Sequence, residues 1–176
     1  LPRFLDIAHG QCAMGQQAKG FDTFQQAREA AEKAGNTELE VEAAEHLVML
    51  QPENDEYLNL VTDLAIQTNR ESDIAKFLQT VADEKLEANQ LDTALRFIRR
   101  ALELDASDPE KWELASELYR QLEDDVSFCD SMLTCIGLMQ SQDYSEARIE
   151  QRFDECIEKL PDDLGVLEKA LIVARD

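Results

Sequence analysis

Glycine and proline are scarce, six and four in 176 residues. Tight β-hairpins draw on turn residues of that kind, so a sheet of many short strands has little material here. Histidine occurs twice, as His9 and His46, in separate predicted helices and with no motif partner beside either. That leaves little for imidazole acid–base catalysis. Four cysteines, Cys12, Cys129, Cys135 and Cys156, stand alone without CxxC spacing, which argues against a zinc site or a disulfide framework. Small buried thiols in a reducing cytoplasm are the expectation. No apolar run approaches the ~18 residues that span a bilayer. Positive charge is short as well: 17 Lys and Arg against 38 Asp and Glu give a formal charge of −21. Phosphate backbones and anionic membranes need Lys and Arg, so nucleic acid and membrane insertion are excluded as expected partners.

Catalytic signatures are missing too. There is no glycine-rich phosphate loop, no HExxH and no GxSxG. No acid run has the alternation and glycine of a calcium loop. The pairs Asp124-Asp125 and Asp162-Asp163 fall at predicted turns, where Asp serves as a cap. The chain reads as a non-enzyme, with no cofactor and no metal.

What is present favours helix. Alanine, leucine, glutamate and glutamine dominate, all good helix formers. The clearest stretch runs from residue 75 to 119. Leu91, Ala94, Leu95, Ile98, Ala101 and Leu102 recur at the i, i+3, i+4, i+7 spacing of one helix face. Asp105-Ala106-Ser107-Asp108-Pro109 then ends one helix and starts another, with Asp108 as N-cap and Pro109 at the first helical position.

Read in order, the chain predicts ten helices: residues 3–18, 21–34, 38–50, 55–68, 72–88, 91–104, 109–122, 126–140, 145–160 and 164–174. Lys19-Gly20 is read as the first break and Gly35 as a C-cap. Asn36-Thr37 opens the third helix and Ser72 the fifth. Paired off, these make five hairpins, near 3–35, 37–69, 71–105, 108–141 and 143–175. The spacing of about 34–37 residues is a repeat period. A helical hairpin exposes an apolar side that only a neighbour can cover, so the hairpins are expected to stack as one domain over residues 1–176. The chain opens on Leu1-Pro2-Arg3 rather than Met and reads as a segment of a longer protein.

Residues 75–122 resemble a tetratricopeptide repeat. Leu78, Val81 and Ala82 match on the first helix, Ala94 and Ala101 seven apart on the second. Leu102, Leu104 and Asp105 follow, and Trp112 and Tyr119 open the next repeat. Ala106 stands where the family usually has proline, and Ala115-Ser116 where Leu-Gly is usual. The resemblance implies an all-α, right-handed solenoid of antiparallel hairpins that binds proteins, commonly by laying a peptide along the first helix of each hairpin. In that register the inward positions are Lys76, Gln79 and Asp83, then Glu110, Glu113, Glu117 and Arg120. Some members of the family hold an acidic C-terminal tail with basic residues there. Acids mostly occupy those positions here, which favours a basic peptide or a basic protein face.

Three features stand apart. Residues 1–35 carry four acids and four bases, whereas 36–69 carry eight acids and no base. This makes the second hairpin either a solvated acidic face or a platform for a basic segment. Arg96, Arg99 and Arg100 concentrate positive charge on the sixth helix, for internal pairing with acids or for an acidic tail. Finally Val126, Phe128, Cys129, Met132, Leu133, Cys135, Ile136, Leu138 and Met139 surround the eighth helix with apolar side chains. A helix apolar all round is buried all round. Phe128, Leu133 and Cys135 are assigned to the core, while Met132 and Met139 are expected as an apolar interface for a partner or a homo-oligomer. Self-association through this helix or the ends of the array is the alternative function.

Overall fold

A computed structural model describes residues 2–162 together with Gly165, Leu167 and Glu168. Nine helices are delimited among them: α1 (Pro2–Ala13), α2 (Gln17–Ala34), α3 (Thr37–Leu50), α4 (Asp55–Thr68), α5 (Glu71–Glu87), α6 (Leu91–Leu104), α7 (Pro109–Gln121), α8 (Asp125–Ser141) and α9 (Glu146–Lys159). The described residues contain no strand. The all-α class and the hairpin repeat are as the periodicity predicts. Most of the tenth helix, expected over 164–174, lies outside the described residues; Gly165, Leu167 and Glu168 are helical.

The chain divides into two compact units, Leu1–Ile74 and Ala75–Asp176, with the division inside α5. In the first unit α1 packs on α2, α2 on α3 and α3 on α4. Leu5 and Ala8 of α1, Phe24 and Ala27 of α2, and Ala43 and Leu47 of α3 form one buried cluster. The many alanines have a geometric reason, since small side chains let neighbouring helices approach closely. Leu58, Val61, Leu64 and Ala65 of α4 are buried, as their spacing predicts.

The first break falls elsewhere than expected. The chain turns at Gly15, whose φ of +75° is left-handed backbone that glycine adopts without strain. Gly20, read from the sequence as the breaker, lies inside α2 and is buried. A Cβ at Gly20 would stand 2.3 Å from Cys12 Sγ and 3.2 Å from the Ala8 carbonyl oxygen, so its role is to let α1 and α2 touch. Ser72, assigned to open the fifth helix, lies inside α5, which starts at Glu71 because the Arg70 carbonyl already accepts from the Ile74 N–H; Gly35 and Asn36 hold their assigned places. Gly35 is left-handed at φ 64° and closes α2 with N–H bonds back to the last turn. Asn36 accepts from the Leu39 N–H at 3.2 Å and opens α3.

In the second unit α6 packs on α7, α7 on α8 and α8 on α9. Of the expected face of α6, Ala94, Leu95, Ile98, Ala101 and Leu102 are buried and Leu91 is half-buried, with Phe97 buried beside them. Around α8 a larger core joins Phe128, Cys129, Met132, Leu133, Cys135, Ile136 and Met139 to Ile149, Phe153 and Cys156 of α9. Trp112 and Tyr119 of α7 press on it from the other side. This corrects the expectation for Met132 and Met139. They are 3% and 0% exposed and fill the core, because α7 and α9 cover α8 from two sides and leave no open stripe at those positions. Only Val126, 61% exposed at the first turn, keeps a large apolar side chain of α8 in solvent.

Emptying the Met139 site is therefore costly. Met139→Ala is expected to lower the unfolding free energy by about 2–5 kcal/mol, through lost burial and the cavity left behind. Val126→Ala is expected to change it by less than about 0.5 kcal/mol. Urea denaturation of the two variants beside the parent chain checks the pair; similar small losses would contradict the placement of Met139.

Candidate functional site

The α7 helix holds most of the expected binding residues, and a loop of four residues sets where it starts. Asp105 accepts from the Ser107 hydroxyl at 2.6 Å, the Ser107 N–H at 3.2 Å and Lys111 Nζ at 3.1 Å. Lys111 is only 2% exposed, so its ammonium depends on that carboxylate. The Ser107 bonds first, and then Lys111, hold the Asp105 carboxyl down to about 2. Asp108 caps α7 by accepting from the Glu110 N–H at 2.9 Å, and Pro109 follows at the first position. Trp112 Nε1 donates to the Ala106 carbonyl at 3.0 Å, and Gln142 Nε2 of the segment after α8 donates to that of Ser107 at 2.9 Å. The loop is thus pinned from α7 and from beyond the end of α8.

Glu110, Glu113, Glu117 and Arg120 recur along one side of α7, at helical spacing. Two of these acids are already engaged. Glu113 accepts from Arg148 at 2.7 Å and from Arg152, both on α9. Glu117 accepts from Arg120 at 2.7 and 2.8 Å, and that bond, with Gln121 and the nearby Arg152, pulls its carboxyl below the ordinary glutamate value. Arg152 also binds Glu155 at 2.7 Å. The result is a mixed-charge network between α7 and α9 rather than a bare acidic row. Arg148 and Arg152 were not singled out from the sequence. Their i, i+4 spacing was the available signal, and their partner lies 35 and 39 residues away. Glu110 is exposed.

On α5, Lys76 and Asp83 are exposed and Gln79 is half-buried. Partial loss of hydration and the neighbouring Glu87 both raise the Asp83 carboxyl above its usual value. Of the basic cluster on α6, Arg100 pairs with Glu103 at 2.7 Å, and the Arg96 guanidinium lies 5.6 Å from the Phe97 ring centre. Arg99 is exposed and borders an open groove of about 240 Å³. Leu102, Trp112, Ala115 and Tyr119 make the apolar walls of that groove, with Glu103 and Ser131 completing it. Such a groove can seat an apolar side chain against aromatic faces. Its lining holds no nucleophile–base pair.

The buried thiols are poor nucleophiles. Burial, then Glu113, pushes Cys135 up to about 11. Burial and the neighbouring Cys129 push Cys156 higher still. All four cysteines are free. In the first unit the structure brings together the two histidines that sequence reading left apart. His9 of α1 meets His46 of α3 edge to face, ring centres 4.2 Å apart, and Phe24 of α2 stacks on His46 at 4.7 Å.

No family model matches the chain, and no curated protein matches it. Solved structures similar to it include a tetratricopeptide repeat protein from Parabacteroides merdae, at 15% identity and a TM-score of 0.45, over 98% of this chain and 71% of that one. BtubC from P. vanneervenii is similar at 15% identity and 0.45, over 96% and 74%. The MamA protein is similar at 12% identity and 0.44, over 92% and 93%. At these values the reading of function rests on the side chains of this chain.

Removing the Asp105 carboxylate strands a buried ammonium. Asp105→Asn is expected to cost about 1–3 kcal/mol at pH 7, and Lys111→Met far less. Because the folded carboxyl titrates below its unfolded value of 3.8, its stabilisation is full above about pH 4 and fades as pH falls towards 2. Urea titrations from pH 7 downward should show the parent and Asp105→Asn curves converging over that window. A gap independent of pH would contradict the ion pair.

Proposed function

We propose that this chain is a non-catalytic protein-interaction module whose partner presents a basic peptide or protein face. One observation carries the reading: acids outnumber bases 38 to 17, and at least eight of those bases are already engaged by carboxylates of the chain itself. Arg28, Arg70, Arg100, Lys111, Arg120, Arg148, Arg152 and Lys159 all sit in internal ion pairs. With 38 acids to 17 bases, internal pairing leaves a surplus of carboxylates facing solvent. A surface of that kind steers cationic partners and repels polyanions, nucleic acid among them. Asp83 and Glu110 are the exposed acids among the expected binding residues, and Lys76, Gln79, Glu113, Glu117 and Arg120 complete the expected set. The aromatic groove at Trp112 and Tyr119 supplies an apolar anchor point. Among the described residues no helix is long and apolar enough to cross a membrane, and the free thiols suit the reducing cytoplasm.

Self-association is the second reading, and one observation favours it. Phe4 and Ile7, three apart on α1, are 39% and 52% exposed. That stripe, rather than Met132 and Met139, is where a second copy would dock. Light scattering across a concentration series separates the two, since only self-association raises the mass.

The docking reading is tested with an arginine-rich peptide carrying one aromatic residue, titrated at low and high salt. Affinity is expected to fall steeply with salt. Asp83→Lys with Glu110→Lys should weaken it by about tenfold, or about 1.4 kcal/mol. The charge-matched pair Glu150→Lys with Glu158→Lys, on α9, should weaken it much less. Equal losses from both pairs, or binding insensitive to salt, would contradict the proposed face.

A further inference from the structure

The histidine pair has a third member. Glu42 lies one turn before His46 on α3, and the donor atoms of His9, Glu42 and His46 all lie within 4.8 Å of one another. We propose that these three side chains form a binding site for a divalent transition-metal ion of the zinc class, independent of the docking face.

Helix geometry makes the arrangement. Side chains at i and i+4 share a face, so Glu42 and His46 point the same way from α3. The α1 helix presents His9 to them, and Phe24 from α2 meets both rings: it stacks on His46 at 4.7 Å and meets His9 edge to face at 5.2 Å. Stacking on Phe24 limits the rotation of the half-buried His46 imidazole, while the exposed His9 keeps room to turn. A metal needs an imidazole lone pair free of its proton. Glu42 has no cation partner among the described residues, and residues 36–69 contain no Lys or Arg to compete for it.

Two imidazole nitrogens and one carboxylate oxygen select the ion. Calcium and magnesium take oxygen ligands, whereas zinc and its neighbours accept this mixed set. Three protein ligands leave a fourth tetrahedral position for water or for a partner's side chain. Ligands at about 2.0–2.2 Å from zinc stand about 3.4 Å apart in a tetrahedron, so donors that lie within 4.8 Å of one another close by at most about 1.4 Å. Side-chain rotation of the exposed His9 accommodates that. An ion held there would tie α1 to α3 across α2.

The test titrates the 176-residue chain with Zn2+ by calorimetry, in millimolar Mg2+ to occupy the general acidic surface. Co2+ serves as a spectroscopic probe, because its visible absorption reports tetrahedral coordination. One equivalent of Zn2+ is expected, with a rise in thermal midpoint and a Co2+ spectrum of that kind. His9→Gln and Glu42→Gln are each expected to weaken Zn2+ binding by about tenfold or more, the scale on which even outer partners of a ligand matter. Both replace side chains outside the core, so far-UV circular dichroism should match the parent. His46→Gln is the third variant, and its half-buried position makes it secondary. Binding abolished by Mg2+, or unchanged in both His9→Gln and Glu42→Gln, would overturn the site.

Discussion

A helix with apolar side chains on every side must be covered on more than one side, and α8 imposes that constraint on the second unit. Phe128, Cys129, Met132, Leu133, Cys135, Ile136 and Met139 cannot all face a single neighbour. Covering α8 from α7 and α9 together buries each of them, at about 1.5–3 kcal/mol for a large side chain. The cysteines take part as small apolar groups with weak donors. Cys135 Sγ lies 3.2 Å from the Pro109 carbonyl oxygen on α7, and Cys129 Sγ 3.6 Å from that of Cys156 on α9. Lys159 and Asp125, 3.0 Å apart, bring the end of α9 to the start of α8. The order of the helices thus follows from where apolar surface is left uncovered.

The same constraint sorts the charges. Once the apolar faces are used in packing, polar side chains are what the helices present outward, and internal pairs select among them. Arg148 and Arg152 converge on Glu113 and join α9 to α7. Lys111, folded inward, draws Asp105 over it and fixes the loop on which Trp112 rests. These arrangements do two things at once. They engage positive charge, and they fix the loop against which Trp112, one wall of the groove, is hydrogen-bonded. The groove carries one charged side chain of each sign, Arg99 and Glu103, beside its apolar walls.

Local features of the sequence translated well. Asp108 and Pro109, Asn36 and Gly35 mark helix ends because caps act within a few residues. The α6 face was legible for the same reason, being a pattern on one helix. Features that depend on a second helix were not. Gly20 resembles a breaker until α1 is laid against it, when the missing Cβ becomes a requirement of contact. Met132 and Met139 resemble an open stripe when α8 is viewed alone. His9 and His46 lie 37 residues apart, and only the α1, α2 and α3 packing sets their rings together. Glu113 illustrates the same limit, since its two arginine partners belong to a helix two elements later.

Native-state hydrogen exchange along α8 tests the central claim most directly, because backbone protection reports how a helix is covered. Amides of residues 128–139 should exchange only through global opening of the second unit, with denaturant dependence equal to that of full unfolding. Exchange of α8 as fast as that of the exposed helix ends, with little denaturant dependence, would mean that α7 and α9 do not cover it, and the packing account of the second unit would not hold.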